Sequence, residues 1–280
     1  MLASPTTLDR SLYDVIWQDD FDEPVLDETH WLPHYLPHWS TPDRTAARYE
    51  IRDGILRLLI EADTPPWCPA LDGDLRVSSL QTGVFAGPLG STEGQLQFHP
   101  DVVVRTAQQN RALFTVHHGL VETRIRALDE ARMMVALWMI GLEDTPEHSS
   151  ELLITEIFGR NVEADRARVG MGVRQFGDPT MTDDVVEEEI PVDVREWHTY
   201  SADWTPERVA WYVDDRLIRV VEQSATYPMQ LMLNIYEFPV DDDRRDPADY
   251  PKVLEVDCVR VSRRREASGG GCLEPERASA

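Results

Sequence analysis

The chain has 280 residues and 42% hydrophobic side chains, enough to bury a full core in one large domain. Its formal net charge of −24 argues against recognition of a nucleic-acid backbone or an anionic membrane surface, because both need clustered Lys and Arg. No run of about 18 apolar residues occurs, so no membrane-spanning helix is expected. A neutral polymer such as a polysaccharide is compatible with this charge.

In chain order, residues 1–14 lack a basic segment followed by an apolar run, so they read as an N-terminal extension rather than a signal peptide. The expectation is a cytoplasmic protein, or a secreted one whose leader has been removed. Ile51 to Ile60 carries an Asp53-Gly54 turn signal that leads into an alternating strand. Ala86 to Arg111 is rich in Gly, Pro and Gln and reads as a loop. Gly119 to Arg126 alternates apolar and polar positions, with Glu122, Arg124 and Arg126 on one face. Met133 to Ile140 is continuously apolar, as in a strand buried on both faces. Asp183-Asp184 and Glu187 to Glu189 read as a solvated acidic loop. Trp197 to Trp204, Val209 to Val213 and Leu217 to Val221 are strands, the last two joined at an Asp214-Asp215 hairpin turn. Leu231 to Phe238 and Val253 to Val261 close the domain, with an acidic loop, Asp241 to Asp249, between them. Residues 266–280 are Gly-rich and polar and are expected to be disordered. Cys68, Cys258 and Cys272 show no metal spacing and read as free thiols.

Many short strands, turn signals at close intervals and no sustained helical periodicity indicate an all-β sandwich or jelly roll over residues 15–265. One segment stands apart chemically. Ser150-Glu-Leu-Leu-Ile-Thr-Glu-Ile-Phe-Gly159 sets two glutamates, Glu151 and Glu156, in an otherwise apolar strand. Buried carboxylates are costly unless paired, hydrogen-bonded or used. Cleavage of a glycosidic bond uses such a pair, one carboxyl on each side of the scissile bond.

Several segments together resemble glycoside hydrolase family 16, the laminarinase and lichenase group. Trp17-Gln-Asp-Asp-Phe-Asp22 is similar to the family's opening strand. Gly119 to Arg126 is similar to its G-x-x-E-x-R-I strand, and Ala136-Leu-Trp-Met139 to the end of its W-P-A-F-W-M. Trp197-His-Thr-Tyr to Trp204, followed by Val209-Ala-Trp-Tyr-Val-Asp214, resembles F-H-T-Y…W…I-x-W-Y-V-D-G. Leu233-Asn-Ile-Tyr236 resembles L-N-L-W, and Val256 to Val261 resembles V-D-Y-V-R-V. The resemblance covers about Trp17 to Val261 and implies a concanavalin-like jelly roll of two large antiparallel sheets.

The family signature E-x-D-x-x-E reads Glu151-Leu-Leu-Ile-Thr-Glu156 here. The resemblance implies Glu151 as nucleophile and Glu156 as acid/base in retaining hydrolysis of a β-glucan, with the carboxyls about 5–5.5 Å apart. Positions five apart face opposite sides of a regular strand, so it also implies a β-bulge near Ile154-Thr155. Glu122, Arg124, Trp138, Asn234 and Tyr236 fall on its sugar-binding positions. Asp257 falls on a family aspartate associated with a structural calcium, and no cofactor is otherwise required. The implied partner is a polysaccharide or oligosaccharide, and the protein is expected to be a monomer.

Three departures bear on activity. The motif aspartate is Leu153, which cannot hydrogen-bond and would favour the neutral form of Glu151. The family's Trp-Pro is Met134-Val135. The strand following the catalytic one is Val169-Gly-Met-Gly-Val173, bare at its contact positions. They motivate a second reading, a carbohydrate-binding protein with weak or no catalysis. Transglycosylation, with a sugar acceptor in place of water, is a third.

Overall fold

The computed structural model describes residues 6–239 and 245–265. The expected tail at 266–280, with Cys272, lies outside the described residues, as do 240–244 of the expected acidic loop.

In chain order the strands are β1 (Tyr13–Asp19), β2 (Tyr49–Arg52), β3 (Ile55–Ile60), β4 (Arg76–Gln81), β5 (Gly83–Val84) and β6 (Arg111–Ala112). They continue with β7 (Gly119–Arg126), β8 (Met133–Gly141), β9 (Glu151–Phe158), β10 (Ala167–Arg174) and β11 (Asp184–Ile190). The remainder are β12 (His198–Trp204), β13 (Val209–Val213), β14 (Arg216–Val221), β15 (Met229–Glu237) and β16 (Lys252–Arg264). One sheet runs β14-β13-β12-β7-β16-β3-β2, with β1 added on β16. The second runs β11-β10-β9-β8-β15-β4. All their pairings are antiparallel. The expected all-β sandwich of two large antiparallel sheets is therefore the fold.

The core lies between the sheets. Leu152, Ile154 and Ile157 from β9 and Val135, Leu137 and Met139 from β8 meet Val121 and Ile125 of β7 and Trp211 of β13. A second apolar cluster lies on the other face of the six-stranded sheet. There Ala136, Trp138, Ile140, Leu153 and Tyr236 are packed under loops that contribute Tyr35, Trp39, Trp67 and Val104. The continuous apolar pattern of β8 thus has the reason expected for it: both faces are covered.

Both hairpin turns read from Asp-Gly and Asp-Asp form. Asp53 and Gly54 adopt φ of 57° and 71°, and Asp214 and Asp215 adopt 46° and 67°, as the tight turn between twisted strands requires. Two expectations change. The acidic segment around Glu187 to Glu189 is the edge strand β11, paired with β10 from Ala167↔Ile190 to Val173↔Asp184. Charged side chains suit an edge strand because they discourage further pairing. The expected extension at 1–14 is partly built into the fold. Tyr13 and Asp14 pair with Arg264 and Arg263 of β16, and the Leu8 N–H donates to the Asp215 carbonyl at 2.8 Å.

Candidate active site

The strand pairings place the bulge at the expected position. On one side of β9, Thr155 faces Leu137 and Leu153 faces Trp138, so Ile154 is the extra residue. On the other side Glu156 faces Gly170 and Leu153 faces Gly172, so Met171 alone spans Ile154 and Thr155. One inserted residue flips the parity of everything beyond it. Glu151, Leu153 and Glu156 therefore lie opposite Ile140, Trp138 and Ala136, all three of which belong to the outer apolar cluster. Both glutamates share one face.

Three features hold that geometry. Trp211, buried in the core, donates its indole N–H to the Leu153 carbonyl at 2.6 Å. That satisfies a backbone acceptor next to the irregularity. Gly172 has φ of 145°, and a Cβ there would come within 2.1 Å of the Asp184 carbonyl oxygen, so only glycine fits. Just before Glu151, the Ser150 N–H donates to the Tyr227 hydroxyl at 2.9 Å, and that hydroxyl donates to Asp178 at 2.8 Å. The glycines of β10 have a further use. Gly170 lies opposite Glu156, and a Cβ on it would sit 3.1 Å from the Glu156 carboxyl oxygen. The bare strand leaves room for the Glu156 carboxyl.

Arg174 is directly across from Glu151 in the β9–β10 register. Its Nη1 donates to Glu151 Oε1 at 2.5 Å, and its Nη2 is 4.0 Å from Glu156 Oε1. One guanidinium therefore faces both carboxyls. Glu151 is only 5% exposed, and burial pushes its carboxyl up to about 7. Arg174 opposes that rise and the Glu156 charge adds to it. Burial also raises Glu156, again against the pull of Arg174. Leu153, buried in the position of the motif aspartate, contributes apolar surroundings and no hydrogen bond.

Of the sugar-binding positions expected from the sequence, Trp138, Asn234 and Tyr236 come to this face. The Trp138 indole donates to Asn234 Oδ1 at 2.6 Å, and Asn234 donates to the Ser79 hydroxyl at 2.6 Å, which fixes both side chains. Tyr236 packs edge-on against Tyr35, with centroids 5.6 Å apart. An aromatic ledge continues through Phe238 to Phe158, over which Arg160 sits at 3.8 Å.

Glu122 and Arg124 do not come here. They lie on β7, in the other sheet, on the face turned away from the core. Glu122 accepts from Arg10 at 2.5 Å and from Ser201 at 3.2 Å. Arg124 pairs with Asp257 at 3.1 Å and lies 5.1 Å over the Trp197 ring. Alternation along β7 shows a polar face but not which sheet carries it. The substrate-contact role expected for these two residues is withdrawn. Asp257 does not fit a calcium site either, because a cation would face the guanidinium already bound to its carboxylate. Among the described residues no group of three or more His, Cys, Asp and Glu side chains is placed to hold a metal. Cys68 and Cys258 are free thiols, as expected.

Sequence reasoning missed Arg174 and Tyr35. Arg174 was within reach, since the alternation that puts Gly170 and Gly172 on one face continues to it. Tyr35 comes from a loop in which nothing local signals contact with β15.

Known proteins resemble this chain over most of its length. Residues 89–248 match the family described as Glycosyl hydrolases family 16. A curated β-glucanase from Rhodothermus marinus is 26% identical over 94% of this chain and 90% of its own length. The solved GlcNAcα1-4Gal-releasing endo-β-galactosidase from Clostridium perfringens superposes with a TM-score of 0.76 at 26% identity, over 93% of this chain. This chain spans only 65% of that protein. The laminarinase catalytic domain from Thermotoga maritima gives a TM-score of 0.60 at 17% identity, over 91% of this chain and 99% of the other, which is a likeness of fold. The family match covers more than half of the chain, and the chain belongs to glycosyl hydrolases family 16.

Proposed function

We propose that this protein is a retaining endo-glycosidase acting on a β-linked glucan, with Glu151 as nucleophile and Glu156 as acid/base. The observation that carries the reading is the bulge at Ile154, which turns buried Glu151 and partly buried Glu156 to one face beside a single guanidinium. In the first step a Glu151 oxygen bonds to the anomeric carbon as the bond to the leaving oxygen breaks. Glu156 gives its proton to that oxygen. In the second step Glu156 takes a proton from water, the water oxygen bonds to the anomeric carbon, and Glu151 leaves as a carboxylate. Burial favours the neutral form needed at Glu156. At Glu151 the same burial opposes the anion, and Arg174 supplies the counter-charge. We read Arg174 as partial compensation for Leu153, giving an enzyme that is weakened rather than abolished. Asn234 and Trp138, held by their mutual hydrogen bond, and the Tyr236 ring would meet sugar hydroxyls and C–H faces.

The β-glucan assignment is supported by the R. marinus β-glucanase, which aligns along nearly the whole chain. A β-galactoside is the second reading, favoured by the C. perfringens enzyme, whose TM-score of 0.76 exceeds the 0.60 of the T. maritima laminarinase domain. The test is hydrolysis of laminarin, lichenan and a β-galactan by wild type and Glu151→Gln. Release from the glucans that is lost in Glu151→Gln is expected. Release from galactan alone selects the second reading. No release from any polymer, or equal release by both proteins, overturns the enzyme reading and leaves a carbohydrate-binding role.

A further inference from the structure

Gly170, Gly172 and Arg174 occupy alternate positions of β10, so the three share a face. In the β9–β10 register they stand opposite Glu156, Leu153 and Glu151. The residues between them, Met171 and Val173, are buried in the core on the other side of the sheet. On the face of the glutamates, β10 therefore sets no side chain between Arg174 and the position opposite Glu156. Leu153, between the glutamates on β9, offers no acceptor.

Arg174 is held from one side. Among the described residues its side chain donates to Glu151 alone, from Nη1 to Oε1 at 2.5 Å. Its other terminal nitrogen, Nη2, faces Glu156 Oε1 across 4.0 Å, too far for a hydrogen bond. A guanidinium presents its donors as a planar fork, so one head can address two carboxyls. The Arg174 side chain is 35% exposed, against 6% for Glu151 and 13% for Glu156. The carboxyls are enclosed, and the longer, more exposed arginine is the member of the three with room to move.

The proposed reaction moves a negative charge between the same two glutamates. Before the first step Glu151 is the carboxylate and Glu156 holds a proton. When a Glu151 oxygen bonds to the anomeric carbon, its charge is consumed in the ester. The proton that Glu156 gives to the leaving oxygen makes Glu156 the carboxylate. In the second step water returns a proton to Glu156, and Glu151 leaves as the anion. The site carries one negative charge throughout, on alternate glutamates, and an enclosed charge is costly without a partner.

From this geometry we infer that Arg174 is a travelling counter-ion, which pairs with Glu151 in the free enzyme, closes on Glu156 in the covalent intermediate and returns when Glu151 is released. Closing the 4.0 Å gap to about 2.8 Å, the length of a charge-assisted N–H···O bond, takes a small swing of the side chain along the bare strip of β10. Burial raises both carboxyls, and Arg174 is the largest opposing influence on each. Asp183 adds to the rise at Glu151, while Glu187 and Arg160 act on Glu156 with opposite signs. Arg174 is thus a positioning residue that acts through both glutamates in turn, and the glycines of β10 keep its path clear.

The inference rests on the glycan-cleaving reading, because that reaction alternates the charge, but its test needs no turnover. Glu151→Gln removes the charge at 151, as the ester does, and keeps the shape. The Glu156 carboxyl is titrated by carbon NMR of glutamate-labelled protein in wild type, Arg174→Ala, Glu151→Gln and the double variant. Arg174→Ala is expected to raise the Glu156 pKa by about one unit in the Glu151→Gln background and by about half that or less when Glu151 is present. The double variant leaves no unpaired carboxylate at 151, so the decisive comparison does not depend on the fold tolerating one. A crystal structure of Glu151→Gln, at a pH above the Glu156 titration, should show an Arg174 nitrogen within hydrogen-bond distance of Glu156. Equal shifts in the two backgrounds, no shift in Glu151→Gln, or a guanidinium still held at residue 151 in that crystal overturns the inference. A wild type that hydrolyses no glycan would overturn the proposed function, while the titration would still decide whether the guanidinium follows the charge.

Discussion

Arg174 and Glu151 are cross-strand partners whose side chains meet at 2.5 Å. The guanidinium lies where it can hold a buried carboxylate in its charged form. Arg174→Ala should therefore raise the pKa of Glu151 and, more weakly, that of Glu156. Catalysis needs Glu151 ionised and Glu156 protonated, so activity should fall below about pH 7 in the wild type, where Glu151 takes up a proton. In Arg174→Ala both limbs of the kcat/KM profile should move to higher pH, the acid limb by about one unit. An unmoved acid limb would separate Arg174 from the ionisation of Glu151.

Leu153 occupies the one motif position without a polar group. Leu153→Asp should restore a hydrogen-bonding neighbour and raise kcat by roughly ten- to a hundred-fold, at some cost in stability from burying a carboxyl. Steady-state kinetics on the best polymer, beside a thermal melt, measure both effects. A drop in kcat for a folded protein would mean that Arg174 and Leu153 form an alternative arrangement that the aspartate disrupts.

The buried glutamate should also be visible in stability. The folded-state pKa of Glu151 is raised above its unfolded value, so its neutral form favours folding at low pH. That contribution is lost as pH rises through about 7. Glu151→Gln removes the titration while keeping the shape. It should stabilise the protein by on the order of 2 kcal/mol at pH 8 and by little at pH 5. Denaturant melts at the two pH values check this, and equal effects at both would contradict it.

Trp211 reaches across the core to the Leu153 carbonyl. Trp211→Phe keeps most of the apolar volume and leaves that acceptor unpaired. A loss of about 1–3 kcal/mol in stability is expected. Activity should fall further than stability explains, because the bulge that aligns the glutamates loses its support. Comparing kcat with a melt at the same temperature separates the two.

The sequence carried the fold well because the strands of this chain are written in alternation and turn residues. Asp53-Gly54 and Asp214-Asp215 announced their hairpins, and the apolar run of β8 announced a strand covered on both sides. The bulge was legible from parity once Glu151 and Glu156 were required to face one cleft. Alternation could not tell which sheet a polar face belongs to, and Glu122 and Arg124 fell to that ambiguity. It also could not show that the acidic run of β11 is an edge strand, since charges there oppose further pairing rather than mark a loop. Long-range contacts such as Tyr35 on Tyr236 depend on how loops fold back over the sheet, which no local pattern encodes.

The central claim is that Glu151 and Glu156 act as a nucleophile and an acid/base on one face of β9. Proton NMR of the first product released from a β-glucan oligosaccharide tests it most directly. The account predicts that the new reducing end appears first as the β anomer and mutarotates to α only later, with no product from Glu151→Gln. An α anomer appearing first, or undiminished release by Glu151→Gln, would contradict it.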